Sequence, residues 1–168
     1  WGQLFPVFII HMAIVKNYAK NGRSTRTFIE EGLWTDLLAN TRKGDVVIIQ
    51  FAHNDGAVTK TERYTNPAQF RLNFIAFVAE VKAKGATPIL CTPVARRKFN
   101  EKGELVPTHG EYPEIIRAVA REQRVDIVLA IRARLDDEAE VRRKRVVVRG
   151  AGSRLVRERA RPMVGRKA

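Results

Sequence analysis

Residues 44–56 read GDVVIIQFAHNDG, a run of Val and Ile that gives way at once to Ala52, His53, Asn54, Asp55 and Gly56. A short continuous apolar run rich in β-branched residues is the pattern of a strand buried on both faces of a parallel sheet. Its polar end admits two readings. Asn, Asp and Gly are ordinary turn residues and need no function to explain them. In parallel α/β sheets, however, the loops at the carboxyl ends of the strands form the ligand crevice, so the same residues can rim an active site.

Working outward, residues 7–15, 88–92 and 125–129 are similar short apolar runs, giving four strands in all. Helical patterns separate them. The clearest begins at Asn66-Pro67, an N-cap followed by Pro at the first helical position. It places Phe70, Phe74, Phe77, Val78 and Val81 on one face before Gly85 ends it. A second covers residues 113–124 and is expected to bury Ile116, Val119 and Ala120, and a weaker third covers residues 27–39 despite Gly32. Strands alternating with helices at this spacing imply βαβ units and a layered α/β domain.

The chain has 168 residues, 45% of them hydrophobic, which suits one domain with a real core. No stretch reaches the roughly 18 uninterrupted apolar residues of a membrane span. The opening WGQLFPVFIIHMAIVKN has no basic region ahead of its apolar part, no small-residue cleavage site and no initiator Met, so the chain is expected to begin mid-protein. The single Cys91 excludes an internal disulfide and a thiolate metal cluster. The net charge of +13 is unevenly spread: residues 142–168 hold eleven Lys or Arg against Glu158 alone, and the rest carries about +3. Past residue 130 the pattern degrades, with 132–145 readable as a charged helix and 146–148 as a strand. The chain therefore divides into a domain over residues 1–130 and a basic, irregular tail over 131–168, expected to be a solvated extension.

Two loops carry the chemistry. After the first strand comes KNYAKNGRSTRTF, in which Gly22 and Ser24 precede a helix, where a free backbone N–H can point at an anion. After the second comes AHNDG, in which Asn54 offers an amide donor. A backbone N–H and an Asn side chain converging from neighbouring strand ends make a workable oxyanion hole for acyl transfer.

Five blocks in order, NGRSTRTFIEEG, GDVVIIQFAHNDG, KGATPIL, CTPVARRKF and HGEYPEIIRAVA, resemble the SGNH or GDSL esterases, and most closely their rhamnogalacturonan acetylesterase-like branch. The likeness covers residues 1–128. It implies a flavodoxin-like three-layer α/β/α fold with a parallel sheet, and deacetylation of plant cell-wall polysaccharide without metal or cofactor. It also implies an extracytoplasmic or secreted location for the complete protein. By the family's motifs Gly22 matches the oxyanion-hole glycine and Asn54 the oxyanion-hole asparagine.

The sequence departs from the family at three places. Ala52 stands where the family has Gly before His-Asn-Asp, and its methyl tightens the loop if that position needs a glycine-only backbone angle. The Gly-Asp-Ser block with the nucleophile, and the first strand that carries it, have no counterpart; the only serines are Ser24 and Ser153. No His follows Asp126, so the Asp-x-x-His block is absent. Of nucleophile, base and oxyanion donors, the three parts such chemistry needs, only the donors are present. The chain as written is thus expected to be inactive alone. Its Arg-rich end is expected to be translated out of frame from somewhere past residue 128, which the coding DNA tests. The alternative is a non-catalytic, degenerate esterase domain whose basic arm binds nucleic acid or anionic surfaces, nonspecifically and in a salt-dependent way.

His53, Arg97 and His109 are candidate substrate-binding residues, each against a plainer reading. His53 is also placed to brace its loop, and His109 to be an exposed loop residue. Arg96 and Arg97 offer guanidinium forks suited to uronate carboxylates, or are solvated surface charge. Asp55 reads as a turn cap, His11 as a core histidine and Cys91 as a small buried hydrophobe. The three histidines are too scattered in sequence to suggest a metal site. The partner implied is an acetylated polysaccharide or other small ester, with no membrane.

Overall fold

A computed structural model describes residues 14–96 and 98–129. The elements in chain order are α1 (Thr25–Glu30), α2 (Leu33–Asn40), β1 (Val46–Gln50), α3 (Pro67–Ala83), β2 (Thr87–Cys91), α4 (Tyr112–Gln123) and β3 (Asp126–Val128). The three strands form one parallel sheet in the order β1-β2-β3, with Val46 opposite Thr87 and Ile89 opposite Asp126. The fold is of the α/β/α class, a parallel sheet flanked by helices. Of the expected strand over residues 7–15, residues 7–13 lie outside the described part, and Ile14 and Val15 take no regular structure. His11 and residues 130–168, the basic tail among them, also lie outside it.

The core is built on α3. Asn66 caps it, its Oδ1 accepting the Gln69 N–H at 2.9 Å, and Pro67 opens the first turn, where its missing N–H costs nothing. Its apolar stripe of Phe70, Phe74, Phe77, Val78 and Val81 is buried, at no more than 1% exposure each. Each such side chain contributes about 1.5–3 kcal/mol by leaving water. The stripe meets Val47 and Ile49 of β1 and Leu90 of β2 in one cluster, which α4 completes with Ile116, Val119 and Ala120. Lys84 caps α3 and Gly85 follows at φ +70°, turning the chain into β2. Glycine takes this left-handed angle at no steric cost.

The weak third helix proves to be two. Gly32, at φ +74°, ends α1 and caps α2, donating its N–H to the Ile29 carbonyl at 2.9 Å. A left-handed residue cannot lie inside a right-handed helix, so the expected helix over 27–39 is broken there. It also starts earlier, at Thr25, where Ser24 and Thr27 form a reciprocal capping box.

Candidate functional site

The loop after β1 closes on itself through Asp55. This carboxylate is fully buried; its Oδ2 accepts the Ala52 N–H at 3.0 Å. Its Oδ1 accepts the Thr25 N–H at 2.8 Å and the Thr25 hydroxyl at 2.7 Å. Asp55 is therefore more than a turn cap. It is the anion at the start of α1, occupying a donor the sequence had offered to an outside ligand. Burial pushes its carboxyl up from the ordinary value, against the bonds from Thr25 and Ala52 that pull it down. Behind Thr25, the Asn73 amide donates to the Thr25 hydroxyl at 2.9 Å, and Gln69 donates to Asn73 at 2.8 Å. The Tyr112 hydroxyl donates to the Thr65 carbonyl at 2.7 Å, closing the far end of the loop onto α4.

Asn54 joins the two candidate loops directly. Its Nδ2 donates to the Arg23 carbonyl at 2.9 Å, next to Gly22, which is half-buried at φ +79°. An amide nitrogen has two hydrogens, and the bond that fixes the loops together uses one of them. Ser24, the only serine among the described residues, is fully buried, and its hydroxyl accepts the Thr27 N–H as a helix cap. Ala52 takes φ +100° at 1% exposure, so the backbone here does hold the angle that favours glycine.

Two of the three histidines, distant in sequence, meet in space, while His11 lies outside the described residues. His109 Nε2 and His53 Nδ1 lie 3.0 Å apart, their rings edge to face with centroids at 4.5 Å. The bond ties the loop after β2 to the loop after β1, beside Asn54. His109 is held down to about 4 by burial, by His53 and by Arg96, and His53 is lowered by burial and Arg96. The pair is neutral at pH 7, one ring donating to the other. Arg96 Nη2 donates to the His53 carbonyl at 2.9 Å, while Arg97 lies outside the described residues. Under both loops, Gln50 Nε2 donates to the Thr92 carbonyl at 3.0 Å. The buried Cys91 thiol is pushed up to about 11 and stays protonated, unsuited to nucleophilic attack.

Sequence reasoning missed Thr25, Asn73 and Tyr112 as braces. Asn73 left a signal, a polar residue within the apolar stripe of α3. No group of three or more His, Cys, Asp or Glu side chains gathers among the described residues, and no helix among them is long and apolar enough to cross a membrane.

Residues 4–151 match the model of the GDSL-like lipase/acylhydrolase family, running past the last of the five blocks. The chain is 38% identical over 128 residues to rhamnogalacturonan acetylesterase RhgT of Bacillus subtilis, covering 76% of this chain and 54% of that protein. It is 33% identical over 129 residues to the probable rhamnogalacturonan acetylesterase YesY of the same organism, covering 76% and 59%. The crystal structure of YxiM from Bacillus subtilis superposes with a TM-score of 0.67 at 31% identity, covering 76% of this chain and 36% of that one. The chain thus spans a little over half the length of these two curated relatives. With residues 4–151 matching the family model, the chain belongs to the GDSL-like lipase/acylhydrolase family.

Proposed function

We propose that the chain carries the oxyanion-binding part of a carbohydrate ester hydrolase, in which the Gly22 N–H and the second Asn54 amide hydrogen hold the oxygen that gains charge as an acyl carbonyl is attacked. The observation that supports this reading is the 2.9 Å bond from Asn54 to the Arg23 carbonyl, which ties the loop after β1 to the residue that follows Gly22. Donors fixed before the reaction need no reorganisation as charge develops, and each is worth about 10²–10³ in kcat. The names of RhgT and YesY support acetylated rhamnogalacturonan as the substrate. His53, His109 and the Arg96-Arg97 pair are the residues proposed to line its path.

Within these 168 residues the only serines are Ser24 and Ser153, so the chain is proposed not to hydrolyse esters alone. Ser24 is committed to its cap, Cys91 is protonated, and His53 and His109 are engaged with each other. A longer chain that carries the family's Gly-Asp-Ser and Asp-x-x-His blocks is expected to release acetate from p-nitrophenyl acetate and from acetylated rhamnogalacturonan, where these residues do not. Asn54→Ala in the longer chain should lower kcat by about 10²–10³. Equal rates for long and short chains would defeat the proposed inactivity, and silence from both would defeat the esterase reading.

A further inference from the structure

Four arginines belong to or contact the two candidate loops, and two of them form ion pairs with carboxylates at the end of α1. Arg23 pairs with Glu31 at 2.8 Å. Arg26 pairs with Glu30 and donates to the carbonyls of Thr61, Glu62 and Tyr64 at 2.8–3.2 Å. Those bonds bolt a turn to α1, which the N–H groups of Arg63 and Tyr64 close onto the Lys60 carbonyl. From this turn Arg63 reaches Gly22, its Nη1 lying 3.8 Å from where a side chain at Gly22 would begin. Its Nε is buried with no hydrogen bond, and the carboxylate paired with it, on Glu62, stands 3.8 Å off with its side chain 70% exposed. A buried donor without an acceptor costs about 1–3 kcal/mol and calls for an explanation, a ligand that supplies the acceptor being one. Arg96, bonded to the His53 carbonyl and in no ion pair among the described residues, adds charge of the same sign beside Asn54.

We propose that Arg63 is a specificity-determining residue whose guanidinium takes the carboxylate of a uronate in the sugar chain, next to the ester held at Gly22 and Asn54. The inference rests on the ester-hydrolase reading for where the sugar lies. A planar fork matches a carboxylate with two parallel bonds, which a neutral sugar cannot return.

Titration calorimetry on the 168-residue chain, with trigalacturonate and neutral galactotriose as probes, tests it. The acidic trimer should bind at least about tenfold tighter, with a preference that shrinks as salt rises. Arg63→Gln should erase the preference while melting at the parent temperature, and Arg63→Lys should restore part of it, supplying charge without the fork. Equal affinity for the two sugars, binding of neither, or an undiminished preference in Arg63→Gln would overturn the proposal. Ester cleavage plays no part in this readout. A longer chain that cleaves esters while the acidic preference is absent would overturn Arg63 alone, and a longer chain carrying both missing blocks that keeps the acidic preference but cleaves no ester would overturn the hydrolase reading.

Discussion

Ala52 sits at φ +100° with its methyl buried, an angle that costs a residue with a side chain on the order of 1–3 kcal/mol. Ala52→Gly relieves that strain and gives back part of the gain as extra freedom of the unfolded chain. The net is a stabilisation of about 1 kcal/mol, seen as a melting temperature raised by a few degrees; an unchanged or lower value would show that the angle is unstrained. This conflict was legible, because the Ala stands where the family motif has Gly. The His53–His109 contact was not, since 56 residues separate the partners and no local pattern foretells it. It makes a second prediction. His109 titrates near 4 in the folded protein and near 6.5 when unfolded, so the folded state binds fewer protons between those values. The stability it confers is complete above pH 6.5 and is lost as pH falls through about 4. His109→Gln, which cannot take up a proton, should flatten the acid limb of a stability-against-pH curve; an unchanged limb would place the titration elsewhere.

Helix α3 was readable to within a residue or two, because its cap, its opening proline, its five-residue apolar stripe and its closing glycine agree with one another. The segment before β1 was misread because an apolar period can run on through a break, and Gly32 was counted as a tolerated helix residue. A side chain at Gly32 would meet nothing within 4 Å, so the angle alone is at stake. Gly32→Ala is accordingly expected to cost about 1 kcal/mol in chemical denaturation, with no repacking to confuse the result. A gain instead would mean that α1 and α2 can merge into one helix.

For the molecule as a whole, the parallel order β1-β2-β3 follows from the alternation of strand and helix, because each crossover helix carries the chain to the next strand on the same side. The sheet's covered face was therefore foreseeable, while the loops at its carboxyl edge depend on bonds between segments distant in sequence. Stability should be graded to match. β2 is paired on both sides and packs under α3 and α4, so amides of Ile89, Leu90 and Cys91 are expected to exchange with deuterium most slowly. The turn around Gly103, closed by the Phe99–Leu105 bridge and set among exposed residues, should exchange orders of magnitude faster. Equal protection in the two regions would mean that the loops are part of one cooperative unit with the sheet.

The double attachment of the AHNDG segment to the start of α1, by Asn54 at Arg23 and by Asp55 at Thr25, bears on how this scaffold can be re-engineered. A chimera that imports one loop without the other keeps these bonds only where the imported residues supply the same donors and acceptors. Grafting has to move residues 21–27 and 51–56 as one cassette.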